Sequence, residues 1–252
     1  METNRKVVKP RAFSPVQKLT EDTRKMGFNG VFFGQPGVGK TTFSLSAQGT
    51  TYGGNALLHD ADEGRESVLD VEADYYIPRT WRELRENLDT ALALKDDTPY
   101  QTHVFDSLSS IWTLLMEHME KTNGNKDGRA VYYAAQKELV KFARDAKSLC
   151  EYGINTIFVG HVVEDKPSED EPALIRLALP PKTRNEILLV VNHVGYLDRV
   201  KRSEDRVLYL KPPNTKTEGP KFRQTKSAEQ IPLEITNPNL GNILTQLREG
   251  VK

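Results

Sequence analysis

Short unbroken apolar runs alternate along this chain with amphipathic stretches, and the alternation predicts strand and helix in turn. Residues 29–33 (NGVFF), 55–59 (NALLH), 102–106 (THVFD) and 154–160 (INTIFVG) are too short for helices. Being largely apolar without a period of two, they read as strands buried on both faces. Residues 75–77 (YYI) suggest one more short strand. Helices are expected between them: from about 40 to 47, and from Thr80-Trp81-Arg82-Glu83, a capping-box pattern, to about 95. The run SSIWTLLMEHM follows THVFD at once. Val131, Ala134, Ala135, Leu139, Phe142, Ala146 and Leu149 hold three-to-four spacing across residues 130–151. Buried strands separated by helices predict an α/β fold, a mostly parallel sheet flanked by helices.

Past residue 161 the pattern changes. Residues 173–179 (ALIRLAL), 193–198 (HVGYLD) and 206–211 (RVLYLK) alternate more and lie closer together, which suggests C-terminal antiparallel strands. Asn237-Pro238 reads as the start of a last helix running to about 249. Residues 1–25 contain Pro10 and Pro15 and no sustained period. They are expected to form a flexible N-terminal arm before a single domain over residues 26–252.

Charge changes this picture locally, because the whole chain is neutral, with 35 basic and 35 acidic residues. Residues 56–75 hold seven acidic residues and one basic, and residues 176–252 hold fourteen basic and eight acidic. The acidic stretch falls beside a predicted strand end, and the basic third suits a polyanionic partner. A single cysteine, Cys150, excludes an internal disulfide framework. With no apolar run long enough for a membrane span or a signal peptide core, a cytoplasmic protein with no membrane partner is expected.

Gly34-Gln35-Pro36-Gly37-Val38-Gly39-Lys40-Thr41 matches G-x-x-x-x-G-K-[ST] between a predicted strand and a predicted helix. Glycines let backbone N–H groups turn inward around phosphates, where a Cβ would intrude. In such a loop Lys40 reaches the β- and γ-phosphates of ATP, Thr41 coordinates Mg²⁺ and Thr42 lies near the α-phosphate. Asp106, ending the strand THVFD, is the second candidate metal ligand; it is equally placed to cap the helix that follows.

VFFGQPGVGKTT with the later HVFDSLSSI resembles the RecA-type branch of phosphate-loop ATPases. It resembles in particular phage-encoded RecA-core ATPases linked to single-strand annealing and recombination, over roughly residues 28–225. LLHDADEG, residues 57–64, is similar to the strand end that supplies the water-activating carboxylate. The resemblance leaves that role between Asp62 and Glu63. TIFVGH is similar to the strand ending in a γ-phosphate sensor, which implies His161. Lys221 and Arg223 fall where such filaments place basic residues that reach a neighbouring subunit's nucleotide. The resemblance therefore implies self-association into an oligomer or filament and single-stranded DNA as partner. A phage single-strand binding or replication protein is a further implied partner.

The loop that contacts DNA in these relatives corresponds to residues 162–185. Its first part is acidic here, which leaves Lys182 and Arg184 as candidates. Tyr196, Tyr209 and Phe222 interleave with the C-terminal cations, as a single-strand surface requires, or else they face inward. Two other functions stay open: a phosphate-loop kinase, and a nucleotide-gated loading factor for a replication protein.

Overall fold

The computed structural model describes residues 26–123, 127–165, 174–200, 203–214, 216–222 and 231–249. The N-terminal arm and Arg223 lie outside the described residues.

Six strands form the parallel part of the main sheet: β1 (Asn29–Gly34), β2 (Ala56–Asp60), β3 (Asp74–Tyr76), β4 (Thr102–Asp106), β5 (Asn155–Gly160) and, later in the chain, β8 (His193–Arg199). Their spatial order is β8-β1-β5-β4-β2-β3. Beyond β8 the sheet turns antiparallel. β9 (Arg206–Tyr209) pairs with the C-terminal end of β8, β10 (Lys221–Phe222) with its N-terminal end, and β11 (Glu234–Thr236) pairs with β9. The margins of the sheet are thus β3 and β11, each three residues long. A separate antiparallel pair joins β6 (Val162–Asp165) to β7 (Leu174–Leu177).

The central strands are apolar throughout because both faces are covered, and alternate residues enter different cores. Val31 and Phe33 of β1, Phe105 of β4 and Phe158 of β5 join one core. Phe32, Val104, Ile157 and Val159 join the other. The first core is closed by α2 (Trp81–Ala93), α3 (Leu108–Thr122), α4 (Gly128–Ser148) and α5 (Pro181–Val190). The second is closed by α1 (Lys40–Leu45) and α6 (Leu240–Glu249). In the first, Phe105 stacks on Phe158 at 5.2 Å and meets Phe142 of α4 edge-on at 5.3 Å. Leu84 and Leu88 bring α2 onto the same layer, and Ile111 and Leu115 bring α3. His59 and His103 are buried at the far side of the sheet. They bond each other, Nε2 to Nδ1 at 3.0 Å.

Two sequence expectations are corrected, and a third holds with a variation. HVGYLD is not an added antiparallel strand: β8 runs parallel to β1, and only its far neighbours are antiparallel. Parallel neighbours need a crossover, and α5 supplies it within a segment whose pattern reads as loop. The last helix starts at Leu240 rather than at Pro238. Asn239 is its cap, its Oδ1 accepting from the Asn242 N–H at 3.0 Å, while Asn237 sits in the left-handed region at φ 47°. At α2, the Thr80 hydroxyl accepts from the Glu83 N–H as the capping box requires. The Glu83 carboxylate returns one residue further back, to the Arg79 N–H at 2.7 Å.

Candidate active site

The C-terminal ends of β1, β2, β4 and β5 meet at one edge of the sheet, and each delivers one part of the site. β1 ends at Gly34 and the chain turns through Gln35–Gly39 into α1. Val38, only 3% exposed, anchors this turn in the second core. Gly37 and Gly39 have φ of 74° and 90°, conformations that side chains with a Cβ rarely adopt. A Cβ on Gly39 would also lie 2.6 Å from the Arg206 guanidinium. Lys40 folds back over the turn, its Nζ donating to the Gln35 carbonyl at 3.0 Å. Burial lowers its pKa, opposed by the charges of Asp106 and Asp62. Thr42 follows half-buried on α1.

Asp106 ends β4, opposite Asp60 in the β2–β4 register. The Thr41 hydroxyl donates to Asp106 Oδ2 at 2.5 Å. Asp106 is 5% exposed, and burial pushes its carboxyl up to about 6. Thr41 and Lys40 work against that rise, and the neighbouring Asp62 and Asp60 add to it. The helix cap falls to the next residue: Ser107 accepts from the Ser110 N–H, which leaves Asp106 facing the loop. The Asp106–Ser107 peptide is cis.

Between Asp62 and Glu63, the backbone makes the choice. The N–H groups of Ala61 and Asp62 both donate to the Asp106 carbonyl, at 2.6 and 3.1 Å, holding the chain end of β2 against β4. Asp62 then accepts from Ser107 Oγ at 2.8 Å, from the Ser110 hydroxyl, and from His161 Nε2 at 2.7 Å. Burial raises its pKa, but the bonds from His161, Ser110 and Ser107 outweigh it and hold the carboxyl below its ordinary value. At Glu63 the chain turns left-handed, with φ 56°, and the side chain swings outward to pair with Arg79 on the surface. Asp60 closes the turn from within, accepting from the Gly64 and Arg65 N–H groups at 2.9 and 3.3 Å.

His161 follows β5 directly. With Nε2 on a carboxylate it carries its hydrogen there, and its buried Nδ1 has no partner among the described residues. The structure therefore brings Lys40, Thr41, Asp106, Asp62 and His161 together and leaves Glu63 outside. Lys221 lies away from this group, its Nζ donating to the Leu188 carbonyl. The aromatics of the basic third face inward. Tyr196 is 3% exposed and stacks on Tyr209 at 6.2 Å, and Phe222 packs on His193 at 4.4 Å. Arg184 is buried as well, whereas Lys182 is exposed.

Two residues at the loop escape sequence reasoning as site residues. Arg199 Nη2 donates to the Gly37 carbonyl at 2.9 Å. Arg206 faces Arg199 across the β8–β9 pairing and lies over Gly39. Both sit about 160 residues from the loop they touch, so no local spacing signals them.

A phosphate-binding loop after β1, a carboxylate on β4 and an extra strand, β5, between them define a phosphate-loop NTPase with a RecA-like fold. The chain belongs to the AAA domain family, whose model matches residues 26–219. Among solved structures it is similar to the RadB recombinase, at 14% identity and TM-score 0.44 over 77% of this chain and 85% of that one. It is also similar to a prototypical ATPase of the type III secretion system of pathogenic bacteria. There the values are 16% identity and TM-score 0.47, over 69% of this chain and 52% of that one. No curated protein matches the chain. No helix among the described residues is long and apolar enough to cross a membrane.

Proposed function

We propose that this chain is an ATP-hydrolysing RecA-like core that acts on single-stranded DNA in recombination or strand annealing, as an oligomer or filament. One observation supports the reading above all: the phosphate loop, a buried carboxylate bonded to the loop threonine, and a second carboxylate held by a histidine share one edge.

The roles follow from the chemistry of each group. The loop N–H groups and Lys40 receive the triphosphate. The donor set beside them fits Mg²⁺, a hard cation that takes oxygen ligands: the Thr41 hydroxyl and Asp106 carboxylate would hold it. A carboxyl raised by burial is one that a cation would return to its charged form. When bound, the metal neutralises charge on the phosphate oxygens. Asp62 orients the attacking water. Its lowered pKa makes it a weak base, so it positions more than it abstracts. His161, bonded to Asp62, is the group through which loss of the γ-phosphate is sensed. Lys221 and Arg223 act, on this reading, on the nucleotide of an adjoining subunit, so activity rises with protein concentration.

The test is ATP hydrolysis across protein concentration, with and without single-stranded DNA at about 50 mM salt, for wild type and Lys40→Ala. DNA stimulation that the substitution abolishes is expected. Activity indifferent to Lys40→Ala rejects the site, and activity indifferent to DNA rejects the DNA-dependent part.

A further inference from the structure

We infer that the groove between α4 and α5 is a binding site for the backbone of single-stranded nucleic acid. This rests on the proposed action on single-stranded DNA and gives it a location distinct from the nucleotide edge.

The groove is a depression of about 430 Å³ lined by Tyr133, Lys137, Lys141, Arg144 and Lys182, among others. A second depression of about 290 Å³ continues it along the same seam, since Arg144 and Glu186 line both. Glu186 is the one acidic residue lining either. Lys137, Lys141 and Arg144 stand at i, i+4 and i+7 on α4, so they form a stripe about 10 Å long on one helix face. All three are exposed, and among the described residues no ion pair engages them or Lys182. Long exposed cations in a row match a repeating anion better than a single one.

The second element of a single-strand site is a ring. Tyr133 is 46% exposed at the head of the groove, with the ammonium groups of Lys137 and Lys182 at 4.5 and 4.8 Å from its centroid. Such contacts are weak at an exposed site and give way when phosphates draw the ammonium groups off, which frees the ring for a base. Tyr196 and Tyr209, the rings the sequence pattern offers for that task, are packed against each other instead. A backbone hydrogen bond also links the segment leading into the groove to the nucleotide edge. The Ala178 N–H donates to the His161 carbonyl at 2.9 Å, four residues before Lys182.

The test is fluorescence anisotropy with a labelled oligothymidine over salt from about 50 to 200 mM. Wild type is compared with Lys137→Ala/Lys141→Ala/Arg144→Ala and with Tyr133→Leu. Melting temperature and DNA-free ATPase activity serve as fold controls, because none of these residues touches the nucleotide site. The triple variant is expected to bind at least tenfold more weakly at low salt. Its dependence of log K on log salt should be shallower by about 2, at ~0.7 per lost phosphate contact. Tyr133→Leu is expected to weaken binding without changing that slope. Wild type that binds while the triple variant keeps the same affinity and slope overturns the groove and leaves the DNA reading standing. A triple variant that keeps its DNA affinity but sediments as a smaller species marks the groove as a subunit contact, which also overturns it. Wild type that does not bind at low salt overturns both.

Discussion

Replacing Asp106 by asparagine should stabilise the nucleotide-free protein while destroying its activity. The carboxyl is 5% exposed and raised from an ordinary value of 3.8 to about 6. The folded chain therefore holds a proton where the unfolded chain has released it. Well below pH 4 both states are protonated and the group is neutral with respect to stability. From there to about pH 6 its penalty grows, and above that it is fully present. Two pH units at 1.36 kcal/mol each give about 3 kcal/mol. The substituted amide carries no charge and still accepts from the Thr41 hydroxyl, so Asp106→Asn escapes that cost. For a chain of this size the gain corresponds to roughly 6–12 °C in melting temperature. Thermal melts with chelator and no nucleotide, from pH 4 to pH 8, measure it. The variant should melt above wild type at pH 8, with the gap closing in acid. ATP with magnesium should then stabilise wild type far more than the variant. A variant that melts at or below wild type at pH 8, or a gap that ignores pH, refutes the argument.

Two further substitutions separate neighbouring roles. Asp62→Asn should lower ATP turnover by about 10²-fold through loss of water positioning, whereas Glu63→Gln, paired outward with Arg79, should change it little; steady-state hydrolysis with the order reversed would return the water-positioning role to Glu63. Arg199→Ala removes the donor on the Gly37 carbonyl, and a loss of about 1 kcal/mol, near fivefold in nucleotide affinity, is expected. Titration with a fluorescent ATP analogue that finds unchanged affinity would reject Arg199 as a support of the loop.

The central strands are legible in the sequence because burial on both faces leaves β1, β4 and β5 with little polar interruption. α5 is not, because Thr183 and Arg184 are buried on its inward face beside Ile187 and Val190, which blurs its apolar stripe. That one omission carries the error at β8. Without a crossover helix, a strand close in sequence to its neighbours reads as antiparallel. β7 falls within the predicted strand ALIRLAL, but β6 hides for another reason: VVED lends only Val162 to the first core, and ion pairs such as Arg176–Asp165 tie its end to β7. At the site, Lys40 and Thr41 follow from the motif and Asp106 from a strand end. The preference for Asp62 over Glu63 depends on a left-handed residue and on serines 45 and 48 positions away, which no spacing encodes. Arg199 and Arg206 reach the loop only because β8 comes to lie beside β1.

The outer rails of the main sheet govern how copies of the chain meet. β3 and β11 are three-residue stubs, and each carries an acidic side chain, Asp74 or Glu234. Ladders so brief and so charged give an incoming strand little to grip and resist runaway lamination. A multimer therefore gains little by adding strands at these two edges and is better built through side-chain surfaces, where a single substitution can weaken it without touching the fold.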